Sequence, residues 1–145
     1  MNPSSSRAGM NTPKRGGSAV SAGSITDEQF RAAFEAVEHV RINSSSSKEL
    51  LSEFQKHCAI LENTNNDWSK RNKSLQALRS LMMQNAAENH EFVNQCYQIV
   101  GAALSVSVKD LRSQVCREAC ITIAYFCTKM GTNFWKVAEL VLQRL

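Results

Sequence analysis

The stretch 109–127, KDLRSQVCREACITIAYFC, holds three thiols, Cys116, Cys120 and Cys127. Thiols so spaced could ligate a metal, serve as a nucleophile beside a base, or pack as small hydrophobes. Zinc needs four ligands, and the nearby sequence supplies no fourth Cys or His. A Cys–His nucleophile is equally poorly supported: His57 and Cys58 are neighbours, and adjacent residues on a helix do not face each other. His39 and His90 lie on polar stretches. Leu111, Val115, Cys116, Ala119, Cys120, Ile123, Ala124 and Cys127 form one broad helical stripe, so the three cysteines are expected to be buried core. No phosphate-binding glycine loop and no paired catalytic carboxylates occur. The expectation is a non-enzyme with no metal and no cofactor.

The chain has 145 residues, enough for one domain with a modest core. Its net charge is +4, and residues 1–26 carry Arg7, Lys14 and Arg15 without an acidic residue. The remainder is nearly neutral, too little for a strong nucleic-acid footprint, so no nucleic-acid partner is expected. A local basic patch would suit an acidic partner. Five cysteines and no secretory pattern imply reduced thiols in the cytosol or nucleus. No apolar run reaches about 18 residues, so no membrane span is expected.

Both prolines lie within the first 13 residues, among many serines and glycines, and residues 1–24 read as a disordered basic tail. Residues 25–145 read as helical. Thr26 with Gln29 forms a capping box that Ile25 and Phe30 can staple, and Phe34, Val37 and Val40 continue the helical spacing. The serine run 44–47 ends that helix, and Ser46 with Glu49 starts the next. There Leu50, Phe54, Cys58 and Leu61 recur at helical steps. NTNND at 63–67 breaks the pattern, and Asp67 caps a third helix carrying Leu75, Leu78 and Met82. A fourth runs from about Glu88, with Phe92, Cys96, Ile99 and Ala103 on one face. SVSVK at 105–109 reads as a loop. Asp110 caps a fifth helix that ends near Lys129 before Gly131, and a sixth follows from 132 to 145.

The order is one helix, two antiparallel pairs and half of a third pair. Arg71 placed over Arg117 gives a period of 46 residues, within the range of HEAT repeats. The fold class is therefore all-α, a HEAT-type α-solenoid. Stacked pairs put their internal loops on one edge. Trp68 closes the first loop, with Lys70, Arg71 and Lys73 after it, while Lys109 and Arg112 flank the second. Trp68 also lies seven residues before Leu75, so by spacing core and contact are equally compatible. Arg117 falls inside the apolar stripe and reads as a structural arginine bonding neighbouring helices. Trp135, on a helix apolar almost all round, reads as core.

The strings DWSKRNKSLQALRSLM, NAAENHEF and VKDLRSQVCREACITIAYF closely resemble a TOG domain of the CLASP family, the cytoplasmic linker-associated proteins. The second TOG domain of that family fits best, and DEQFRAAFEAVEHVRI resembles its extra N-terminal helix. The resemblance covers residues 25 to 145. It implies a flat paddle of HEAT repeats that binds αβ-tubulin through the loops within each repeat, here 63–68 and 105–110. It further implies suppression of microtubule catastrophe, promotion of rescue, and work at plus ends, kinetochores and the spindle, in the cytoplasm and on the cytoskeleton. In the family the tryptophan matching Trp68 contacts tubulin. The implied tubulin-binding residues are Trp68, Lys70, Arg71, Lys109 and Arg112, with Asp67, Asp110 and Arg117 structural. The family's six repeats exceed what this chain spans. The chain is accordingly expected to be a fragment or truncated form, to bind tubulin weakly or not at all alone, and to self-associate through the open face of its third repeat. The competing reading is a HEAT-type scaffold that does not bind tubulin.

Overall fold

The computed structural model describes residues 26–35, 46–85 and 89–143. The tail 1–24, Ile25, Val37, His39, Val40 and the expected start at Glu88 lie outside them. The architecture is all-α, a two-layered HEAT-type solenoid. Its helices are α1 (Asp27–Glu35), α2 (Ser47–Glu62), α3 (Trp68–Asn85), α4 (His90–Ser107), α5 (Ser113–Met130) and α6 (Trp135–Gln143). A 3₁₀ turn, Gly131–Phe134, joins α5 to α6. One layer holds α2, α4 and α6 side by side, the other α3 beside α5, and α1 lies against α5.

Local chemistry sets the helix starts. Thr26 and Gln29 exchange two side chain–backbone hydrogen bonds of 3.1 Å, a complete capping box. The Glu49 amide donates to Ser46 Oγ at 3.2 Å. At α4, the Phe92 amide donates to Asn89 Oδ1 at 3.1 Å, and Asn89 Nδ2 reaches Ser47 Oγ at 2.6 Å, tying the starts of α2 and α4 together. Gly131 takes φ 54°, a left-handed conformation that favours glycine, and its amide closes α5 on the Cys127 carbonyl. Where α4 meets α6, a Cβ on Gly101 would stand 2.6 Å from Leu140 Cδ2, the end of a flexible side chain that would have to shift.

The core lies between the layers. Leu50, Phe54, Cys58 and Leu61 of α2 are all buried, as their spacing predicts. Phe54 meets Phe92 edge-on with centroids 6.0 Å apart, and Phe126 meets Phe134 at 5.6 Å. Burial pushes the Cys58 thiol up to about 12 and raises that of Cys96 as well, so both stay protonated near neutrality.

Four expectations need correction. The 105–109 segment is largely helical: α4 continues to Ser107, and Ser105 and Ser107 return their hydroxyls to the carbonyls of Gly101 and Ala103 at 2.6 and 2.7 Å. The second loop is therefore 108–112. The buried residues of α5 include Val115, Ala119, Ile121, Thr122, Tyr125 and Phe126, so the cysteine stripe is rotated off this face. Cys120 and Cys127 are exposed and Cys116 half-buried. Trp135 is 58% exposed, because Phe134, Val137 and Val141 take the core face. The repeat offset also changes. Arg71, Leu75, Ala77, Leu78, Leu81 and Met82 are buried, and so are Val115, Ala119, Ile121, Thr122, Tyr125 and Phe126, each 44 residues further on.

His57 of α2 predicts a pH effect. Its Nδ1 lies 3.3 Å from Ser74 Oγ and its Nε2 3.5 Å from Glu53 Oε1. Burial lowers its pKa from the usual 6.5, outweighing Glu53, which raises it, and Lys56 lowers it further. As pH falls the unfolded chain takes up this proton first. The stability is complete above the unfolded value and declines as pH drops from about 6.5 toward the folded value. His57→Gln should flatten the fall of the urea midpoint between about pH 7 and pH 5. An unaltered slope would assign the acid sensitivity to other groups.

Candidate functional site

The loops within the two pairs lie on one edge, linked by an arginine–aspartate cluster. In the first loop, 63–67, Asp67 Oδ2 accepts the Ser69 amide at 3.0 Å, the capping role expected of Asp67. Asn66 Nδ2 donates to the Ile60 carbonyl at 2.9 Å, satisfying one of the free carbonyls that end α2. Arg71 takes another. Its Nη2 donates to the Leu61 carbonyl at 2.8 Å while its Nη1 pairs with Asp110 Oδ2. The Arg71 side chain is fully buried and that of Asp110 is 5% exposed. Burial, and then the neighbouring Arg112 charge, push the Arg71 guanidinium below its ordinary value.

Asp110 also holds Arg112. Its Oδ1 accepts the Arg112 backbone amide at 2.9 Å and Nε at 2.8 Å, and its Oδ2 accepts Nη2 at 2.8 Å. This fork orients the guanidinium toward the first loop. There Nη1 donates to the Asn66 carbonyl at 3.0 Å and Nη2 to the Thr64 carbonyl at 3.1 Å. Asp110 is therefore structural, but it does not cap α5 directly. That helix begins at Ser113, after Arg112.

The sequence-expected residues thus divide. Trp68, Lys70 and Lys109 are exposed, with Trp68 at 45%. Arg71 cannot touch a partner, because no part of it reaches solvent. Arg112 is 35% exposed at its side chain and uses all three guanidinium nitrogens internally. Arg117, expected as the buried structural arginine, is exposed. Arg79 does that work between α3 and α5: 3% exposed, it donates to Thr122 Oγ1 at 2.7 Å and to Glu118 Oε1 at 2.5 Å. Sequence reasoning missed Arg79, which sits in a run of apolar residues that marks it only as unusual.

It also missed Leu111, counted in the helical stripe. Leu111 stands on the second loop, fully exposed, beside a cleft of about 550 Å³ whose lining includes Thr64, Val106, Lys109 and Arg112. Trp68 and Leu111 are two large apolar side chains on the outer surface of an otherwise polar edge, with Lys70 and Lys109 beside them. Such an arrangement can anchor a protein partner of acidic character. Among the described residues no group of three or more His, Cys, Asp or Glu could hold a metal ion, and no helix is long and apolar enough to cross a membrane.

The fold is that of a HEAT-type helical repeat protein. The family described as "CLASP N terminal" matches residues 50–145. CLIP-associating protein 1-B of Xenopus laevis is 40% identical over 131 residues, 90% of this chain and 9% of the relative. CLIP-associating protein 1-A of the same frog is 39% identical over 130 residues, 89% of this chain and again 9% of the relative. Protein CLASP-2 of Caenorhabditis briggsae is 32% identical over 120 residues, 81% of this chain and 15% of the relative. The chain belongs to the CLASP family. It spans about a tenth of the length of the frog relatives.

Proposed function

We propose that residues 25–145 are part of a TOG-type domain, most similar to the second of the CLASP family, that binds αβ-tubulin through the 63–67 and 108–112 loops. The observation that carries this reading is the exposure of Trp68 and Leu111 on an edge flanked by Lys70 and Lys109. Tubulin is the partner the family suggests, and an acidic protein surface complements such an edge. The chain's role in this reading is microtubule regulation in the cytoplasm: stabilisation, suppression of catastrophe, and service at plus ends, kinetochores and the spindle. Sedimentation velocity with and without soluble αβ-tubulin tests it. A tubulin-dependent shift supports the reading, and its absence from a well-behaved monomer refutes binding by this part of the family fold.

A second reading, a scaffold that joins chains through the far end of the solenoid, draws on Trp135 and Leu142, seven residues apart on α6 and exposed at 58% and 68%. Concentration-dependent mass without tubulin is its signature.

A further inference from the structure

We propose that Arg112 is a positioning residue that locks the two loops into one preset binding edge and does not itself contact the partner. The proposal rests on the tubulin-binding reading of that edge. Every polar group of its guanidinium is turned inward. Asp110 grips it as a fork through Nε and Nη2, and the remaining reach goes to the carbonyls of Thr64 and Asn66 on the other loop. Asp110 in turn is anchored to the buried Arg71, which is bonded to the end of α2 at Leu61. A continuous chain of charge-assisted bonds therefore runs from the end of α2, through the start of α3, to the second loop and back to the first.

The loops themselves contribute few other cross-links. The first is held mainly by its own turn, the Asn66 amide on the Asn63 carbonyl at 3.1 Å, and by Asn66 on Ile60. The second is held by its return to α4, the Asp110 amide on the Ser107 carbonyl at 3.2 Å. Arg112 bridges them. Trp68 follows directly on the first loop and Leu111 sits on the second, so their relative placement is set by this bridge together with the Asp110–Arg71 pair that ties the second loop to α3. Two apolar anchors fixed before binding spare the partner the ordering cost, which is how a rigid edge gains affinity without new contacts.

A lysine at 112 would keep the charge and lose the fork, since an ammonium cannot serve two Asp110 oxygens and two carbonyls in one plane. That makes Arg112→Lys the decisive variant. Two readouts are needed, on the full chain. The first needs no partner: amide hydrogen exchange in residues 63–69 should accelerate by about tenfold or more, the factor expected on losing charge-assisted bonds, while core amides of α2 and α4 keep their rates. The second is αβ-tubulin affinity, which should fall by about tenfold, with a salt dependence unchanged from wild type because no partner contact is lost. Unaltered exchange at 63–69 would overturn the proposal whatever tubulin does. Full tubulin affinity in Arg112→Lys with accelerated exchange would also overturn it. If wild type and Arg112→Lys both fail to bind tubulin, the binding reading fails, and the exchange result alone shows whether Arg112 couples the loops.

Discussion

Asp110→Ala should destabilise the fold by about 3–5 kcal/mol, the cost of leaving a buried charge without its partner. The reason lies in Arg71. Its guanidinium is fully buried, and Asp110, itself only 5% exposed at its side chain, is its carboxylate. Without Asp110, Arg71 keeps the Leu61 carbonyl but has no counter-charge, and water cannot reach it. Arg112 suffers less, because its partly exposed side chain can rehydrate. A natural domain is stable by only about 5–15 kcal/mol, so the urea midpoint should move far toward zero. The double variant Arg71→Met with Asp110→Ala checks the mechanism, since it removes both charges together. It should be clearly more stable than Asp110→Ala alone, as expected when a buried pair is replaced by an apolar side chain of similar volume. If the single variant lost under about 1 kcal/mol, the pair would be behaving as an ordinary surface bridge.

On the tubulin-binding reading, Trp68→Glu should weaken tubulin binding about thirtyfold or more with little effect on folding. Trp68 is the first residue of α3 and nearly half its surface is free, so the core loses little. A carboxylate in the first turn of a helix is favoured by the helix dipole. Tubulin, as an acidic surface, should find a charge of its own sign where an aromatic anchor stood. Removing such an anchor costs about 2 kcal/mol or more, roughly a thirtyfold loss of affinity. Trp135→Glu, at the start of α6 and away from both loops in sequence, is the control, and it should leave tubulin binding intact. Unimpaired binding by a folded Trp68→Glu would remove this edge from consideration as the tubulin site.

The helices were legible because their ends carry side chain–backbone signals and their cores keep period. Ser46, Asp67 and the 50–54–58–61 series are where the sequence says they should be. The shared edge of the two loops was legible too, since loops within antiparallel pairs must lie on one side. What failed were choices between near-equivalent alternatives. On α5, apolar residues occupy two adjoining stripes, and spacing cannot decide between 116–120–123–127 and 115–119–122–126. The second wins because it brings Thr122, with Glu118 on its flank, to α3, where Arg79 bonds both. The same rotation explains the exchange of Arg71 and Arg117, for an offset of 46 aligned two arginines whose environments differ completely. SVSVK looked like a break because its alternation of serine and valine departs from the helical period. Back-bonded hydroxyls and the burial of Ser105 and Ser107 carry the helix on to Ser107. The coupling of Asp110 to Arg71 and Arg112 joins three positions from two loops, and no local pattern announces it.

The rotation of α5 exposes Cys120 and Cys127, while Cys58 on α2 and Cys96 on α4 are buried, so the chain carries thiols of separate accessibility. An alkylating reagent would meet Cys120 and Cys127 in the native state, slowed because burial raises both above the usual thiol range. It would reach Cys58 and Cys96 only when α2 and α4 part. The ratio of the two labelling rates, read site by site by mass spectrometry, therefore measures how often that layer opens, with the α5 thiols as the built-in reference.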